Sequence, residues 1–209
     1  ELFPAYLQQL EMESNGKSVD IFDENINYKT APIIWGGVGC NNQHAYMQLL
    51  HQGTHVVPTD FIVAANLAGD NSKSDINNKN LNNLMFASCI GQSQALMQGS
   101  DASKDQNKKN NDFVNSKSCA GNKPSTTILF PKLTPSILGS LVALYEHKVF
   151  VQGIIWQIQS FDQWGVQLGK KLIDDLLPLL KEETAVENRS DLDSSTKGLL
   201  QYYLSNKTK

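Results

Sequence analysis

Cysteine is scarce and poorly placed for bridging. Cys40, Cys89 and Cys119 form an odd set with no close pair and no CxxC spacing, which argues against a disulfide-stapled framework and points to a reducing, cytoplasmic setting. Positive charge is not in surplus either. With 18 Lys+Arg against 21 Asp+Glu and a formal net charge of −3, the chain has no basic excess for a phosphate backbone, so nucleic acid is not an expected partner. A long uninterrupted apolar run is missing. The most apolar stretch, Ile137 to Ile158, carries Glu146, His147 and Lys148 in its middle, so it cannot span a bilayer without burying charge, and no membrane partner is expected. No signal peptide opens the chain, which starts at Glu1 without Met in an amphipathic pattern and reads as a piece of a longer polypeptide. Internal repeats are absent. What is present, 40% hydrophobic residues over 209 positions, is enough to bury a real core in one large domain or two small ones.

Helix and strand signals alternate along the chain. Tyr6, Leu7 and Leu10 fall at helical spacing within Phe3 to Glu13, and Asn15-Gly16 supplies a left-handed stop. Ser18 to Thr30 reads as a polar loop, and Pro32-Ile33-Ile34-Trp35 as a short buried strand. After the turn Gly36-Gly37-Val38-Gly39, Asn41 or Asn42 caps a predicted helix running to about Gln52. His55 to Val63 is β-branched and reads as a strand, Ala68 to Lys79 as an Asn- and Lys-rich loop, and Leu81 to Met97 as a helix. Gly99 to Lys123 is polar and reads as a mobile surface excursion. Thr126 to Phe130 is a third strand signal, and Thr134-Pro135 opens a helix in the favoured cap-then-proline order. Helices over about Trp164 to Leu180 and Lys197 to Leu204 complete the chain. This alternation predicts an α/β fold, a mainly parallel sheet with helices on both faces.

Four places hold polar side chains that the pattern leaves unexplained. Met12-Glu13-Ser14-Asn15-Gly16-Lys17 puts an acid at a helix end beside a tight turn, a position where a glutamate is ordinarily just solvated. Trp35 to His44 joins a strand signal, a glycine turn and a helix start, but it lacks both the G-x-G-x-x-G spacing of a dinucleotide loop and the Lys-Ser/Thr of a P-loop. It places His44 in a first helical turn, where the dipole favours a neutral imidazole able to exchange protons; a merely structural histidine is the plainer alternative. His51-Gln52-Gly53-Thr54-His55 resembles a zinc helix superficially. It lacks the general-base Glu, and Gly53 with Pro58 breaks the helix that would align both imidazoles, so no metal is expected and both histidines read as packing or hydrogen-bonding residues. Finally, a helix beginning at Asp162 would put Gln163, Gln167 and Lys170 on one face. An amide and an ammonium side by side suit a hydroxyl-rich or phosphorylated ligand, although a solvated face would look the same.

Taken together these segments resemble the phosphoglucose isomerase family. The resemblance runs through Met12 to Lys17, Asn41 to Ala45, His51 to Thr54, Lys132 to Pro135, Tyr145 to Gly153, Ser160 to Val166 and Asp193 to Leu199. It covers essentially the whole chain, matched to the C-terminal part of a family member. It implies a flavodoxin-like parallel sheet flanked by helices, the sugar-isomerase domain. Residues 1–160 would form most of the second such domain, and 161–209 a C-terminal helical segment packed on it. It also implies a cofactor-free interconversion of glucose 6-phosphate and fructose 6-phosphate, in glycolysis and gluconeogenesis, by a homodimer. By motif Glu13 would be the catalytic base, His44 the ring-opening acid/base acting in the neighbouring subunit's site, Lys170 the active-site lysine, and Gln9 and Gln163 substrate-contacting amides. The glycine turn lacks the acid and Thr common in the family, and Gln167 stands where Glu is usual. The family's phosphate-gripping Ser/Thr loop and its enediolate-stabilising Arg would lie upstream of Glu1. The alternatives are another phosphosugar isomerase of the same fold, or a non-catalytic sugar-phosphate-binding module, which would need neither Glu13 nor His44.

Overall fold

The computed structural model describes residues 2–66, 76–101, 114–181 and 186–207. The segment 67–75 of the Asn- and Lys-rich loop and 102–113 of the polar excursion lie outside the described residues. Two units are present, Glu1–Ser160 and Phe161–Lys209.

The first unit is built on helix α1 (Phe3–Asn15), short helices α2 (Gly39–Asn42) and α3 (Met47–Gln52), strand β1 (Thr59–Asn66), helix α4 (Ile76–Gln98), a turn of helix α5 (Val114–Lys117), strand β2 (Ser125–Lys132) and the long helix α6 (Pro135–Ile155). β1 and β2 pair in parallel, with Asp60 opposite Thr126 and Phe61 opposite Thr127. Parallel strands need a crossover, and α4 lies in theirs. Alternate residues of a strand face opposite sides of the sheet. On one side Phe61 packs with Met47, Leu50 and Leu96, and Ser93 of α4 meets Thr127 at 3.3 Å. On the other side Asp60 accepts a 2.9 Å hydrogen bond from the Tyr145 hydroxyl of α6. The sheet is thus flanked by helices on both faces, as the alternating sequence pattern predicts.

Helix α6 starts where the sequence says. Thr134 caps it by accepting from the Ile137 N–H at 3.2 Å, with Pro135 in the first turn. Its buried residues, Leu141, Tyr145, Val149 and Gly153, recur every fourth position and so line one stripe. That stripe faces α1: Phe3 meets the Tyr145 ring edge-on at 5.6 Å, and Asn15 donates to the Val149 carbonyl at 3.0 Å.

Several local expectations are corrected. Pro32 to Trp35 forms no strand; the described strands pair only with each other, and Ile33 is 81% exposed. An apolar run without a pairing edge cannot satisfy its backbone as a strand. The helix expected over Asn41 to Gln52 is broken. Tyr46, at φ −141°, leaves the helical region, and its ring is held edge-on against Trp35 at 4.6 Å, so packing prevails over helix continuity here. β1 begins only after Pro58, which has no N–H to offer a ladder. α4 starts at Ile76, five residues before the expected Leu81. Gly16 sits at φ −72°, not in the left-handed region; glycine is needed there because a Cβ would run into the Met12 carbonyl oxygen.

The second unit holds α7 (Trp164–Leu176), a 3₁₀ turn over Leu177–Leu180 and α8 (Ser194–Asn206). The single helix expected to Leu180 tightens at Leu177 because Pro178 cannot donate to the preceding turn. Asp193 caps α8 through the Thr196 N–H at 2.9 Å and hydroxyl at 2.6 Å. Leu179, Val186, Leu200 and Leu204 form the unit's core. Among the described residues no helix is long and apolar enough to cross a membrane.

Candidate active site

Glu13 lies in the last turn of α1, and its position follows from the two faces of that helix. Glu11, Ser14 and Asn15 are buried. Glu13, two residues from both Glu11 and Asn15, points about 200° around the axis from them, while Gln9 lies one turn earlier on the same side. The Gln9 amide donates to the Glu13 carboxylate at 3.4 Å. Two of the expected residues are therefore together. The end of the helix is held by Lys17, whose ammonium donates to the carbonyls of Glu13 at 2.9 Å and Ser14 at 2.8 Å. A C-terminal helical turn leaves such carbonyls without helical partners, and a lysine there satisfies them.

His44 is exposed, in the turn between α2 and α3 rather than in the first turn of a helix. It therefore does not occupy the first-turn position, at the positive end of a helix dipole, that the sequence predicts. Its turn is fixed from both sides: Asn42 donates to the Val38 carbonyl at 3.0 Å, and Tyr46 packs with Trp35 onto the Met47, Leu50 and Leu96 cluster. Burial pushes the Tyr46 phenol up from its ordinary range, against a backbone hydrogen bond at Gly37 that pulls it down.

His51 has the hydrogen-bonding role expected of it, facing Gln92 of α4 at 2.8 Å. Among the described residues no group of His, Cys, Asp and Glu is arranged to hold a metal ion. An open cleft of about 520 Å³ is lined by Gln48, His51, Gln52 and Lys123, and none of the five expected site residues lines it.

Gln163 and Lys170 belong to the second unit. The helix begins at Trp164, not Asp162, with Gln163 at the cap position and giving no side-chain cap bond. Phe161, three residues before the helix, adopts the left-handed conformation at φ 73°. Lys170 is exposed on α7, as are Trp164, Leu168 and Leu172. Gln167 and Lys170 share a face at i and i+3, whereas Gln163 precedes the helix.

Across α1 from Glu13 lies a residue that the sequence pattern did not mark. Asn15 is fully buried, and its amide donates to Glu11 at 3.3 Å and to the Val149 carbonyl at 3.0 Å while accepting from the Ser160 hydroxyl at 2.5 Å. The available signal was the i, i+4 pair Glu11 and Asn15 on the side of α1 opposite Gln9 and Glu13.

A family model of phosphoglucose isomerase matches residues 1–200. The chain is 48% identical over 208 residues to the glucose-6-phosphate isomerase of Methylocella silvestris, covering 95% of this chain and 36% of that protein. It is 52% identical over 198 residues to glucose-6-phosphate isomerase 1 of Chromohalobacter salexigens, covering 94% of this chain and 32% of the relative. The crystal structure of a glucose-6-phosphate isomerase from Chlamydia trachomatis superposes with a TM-score of 0.75 at 38% identity, over 98% of this chain and 36% of that one. A hypothetical protein of Thermus thermophilus, at 20% identity and TM-score 0.59, shares the fold over 84% of this chain and 38% of its own. The chain thus spans about a third of the length of the relatives it matches. With the α/β architecture, the motifs around Glu13 and His44 and the match over residues 1–200 in agreement, the chain belongs to the phosphoglucose isomerase family.

Proposed function

We propose that the full-length protein containing this chain interconverts glucose 6-phosphate and fructose 6-phosphate, and that residues 1–160 are most of its second sugar-isomerase domain. The observation that carries this reading is the placement of Glu13: a carboxylate on the outward face of α1, beside Gln9, at the end of a helix anchored on its other face. Supporting it, the relatives that match nearly the whole chain are named as glucose-6-phosphate isomerases.

The chemistry needs few groups. Moving a proton between C2 and C1 through a planar enediolate takes one carboxylate on one face, which removes the proton from one carbon and returns it to the next; Glu13 fills that role. Opening the ring exchanges a proton between the ring oxygen and O1. That suits an imidazole, whose ordinary titration range lies near neutrality, and His44 fills it. Lys170 balances negative charge developing on the oxygens, and Gln9 and Gln163 orient hydroxyls. Neither metal nor cofactor enters this scheme. The exposure of His44 suits a side chain that serves a second subunit, and we assign it to the neighbouring site of a homodimer acting in the cytoplasm.

Glu13→Gln in the full-length enzyme tests the reading. It should lower kcat by roughly 10²–10⁴, with KM little changed and hydrogen exchange at C2 falling in parallel. A variant within a few-fold of the parent would remove Glu13 from the role of base.

A further inference from the structure

We propose that Asn15 is a positioning residue for Glu13, acting through a buried polar lock that joins the end of α1 to α6 and to Ser160. The inference rests on the reading of Glu13 as the base.

The lock is closed on every side. Asn15 is 0% exposed. Both functions of its amide are used: the nitrogen donates to Glu11 and to the Val149 carbonyl of α6, and the oxygen accepts from the Ser160 hydroxyl. Glu11, itself buried, lies 4.0 Å from the Lys148 ammonium. The Gln152 amide, oriented with its nitrogen toward the carboxylate, donates to Glu11 at 2.9 and 3.2 Å. Gly153 makes the approach possible. A Cβ there would collide with the Ser160 hydroxyl and come within 3.4 Å of the Asn15 oxygen.

This arrangement is an odd way to gain stability, since well-packed apolar side chains of similar volume often serve a helix interface as well or better. What a hydrogen-bonded amide adds is direction. Apolar side chains tolerate sliding and rotation of one helix on another, whereas an amide held by three partners fixes the rotation and register of α1 at its last turn. Glu13 lies across the helix axis from that anchor, so any rotation released by losing it swings the carboxylate directly. Lys17 fixes the same turn from its end by holding the Glu13 and Ser14 carbonyls. Misplacing a reacting group by about 1 Å can lower a rate about 10²-fold.

The test uses Asn15→Ala and Ser160→Ala in the full-length isomerase, each alone and combined with Glu13→Gln. For folded single variants kcat should fall roughly 10- to 100-fold with KM within about 3-fold of the parent, and hydrogen exchange at C2 should fall with kcat. Gly153→Ala should reproduce Ser160→Ala, because its methyl displaces the same hydroxyl. In the Glu13→Gln background neither substitution should lower the residual rate further, since the group being positioned is already gone. A folded variant with kcat within about 2-fold of the parent overturns the proposal. So does an equal proportional loss in the Glu13→Gln background, which would mark a general structural role. Should Asn15→Ala fail to fold, Ser160→Ala, which deletes one hydroxyl, decides the matter. Parental activity in Glu13→Gln alone would overturn the reading of the base itself, and that result is separate from those of the lock variants.

Discussion

Single residues carry charge into places where the fold must account for it. Burial pushes the Glu11 carboxyl up from its ordinary range, and the Asn15 hydrogen bond and Lys148 charge pull it only partly back. Because its pKa is higher folded than unfolded, the folded state holds a proton that the unfolded state has released across that window. The associated stability is present below the ordinary carboxylate value and is lost as pH rises through the raised folded value. Glu11→Gln removes this dependence. Thermal midpoints measured between about pH 4 and pH 7 should fall less with rising pH in the variant than in the parent; parallel curves would show that Glu11 does not titrate differently on folding. Tyr145 shows the complementary case. Burial, together with its hydrogen bond to Asp60 and the Asp60 charge, holds the phenol above its ordinary range, so it remains a donor from α6 to β1.

Elements begin and end for reasons that can be tested one position at a time. α6 closes with the Gln157 N–H bonded to the Ile154 carbonyl and the Ile158 N–H reaching back to the Gly153 carbonyl at 3.0 Å. Gln157 adopts the left-handed conformation, φ 52°, and Ile158 is buried after it. This is the helix-ending geometry that usually recruits glycine. Glutamine there carries a steric cost from its Cβ, and the side chain is exposed. Gln157→Gly should therefore stabilise the protein by about 1 kcal/mol, read as a higher thermal midpoint, and a clear loss of stability would mean that the side chain makes a contact worth more than the strain. α7 is the opposite kind of element. Trp164, Leu168, Leu172 and Ile173 are all at least half exposed, and Leu176 at its end packs against the Leu179, Val186, Leu200 and Leu204 core.

At the scale of the whole molecule these uncovered apolar side chains have a consequence. α6 also leaves Leu144, Phe150, Ile154 and Ile155 more than half exposed. The 209-residue chain expressed alone should be inactive, and it should self-associate or bind a hydrophobic dye, because apolar surface of this extent is rarely left open in a stable monomer. A monodisperse preparation with measurable turnover would contradict both expectations. The shared-site reading of His44 predicts complementation. Two inactive full-length variants, Glu13→Gln and His44→Ala, mixed and reassembled at random, should recover roughly a quarter of parental activity. Half of the dimers are then mixed, and each has one site with neither mutation. If His44 served its own subunit, every site would keep a mutation and nothing would return.

What the sequence alone determined is what neighbours in the chain decide. Thr134-Pro135 marked the start of α6, the periodic apolar residues marked α1, and the alternation of strands and helices marked a parallel sheet with helices on both faces. Glu13 and His44 were singled out by the motifs they stand in. Caps, prolines and periodicity act within one or two turns, so they are written locally. The tertiary structure decided the rest. Whether Pro32 to Trp35 forms a strand depends on a pairing edge, and the break before Tyr46 depends on Trp35, eleven positions away. The Asn15 lock joins residues 134 and 145 positions apart. No local window contains both partners of such a bond, and a buried amide with all its bonds satisfied exists only once α1, α6 and Ser160 have come together.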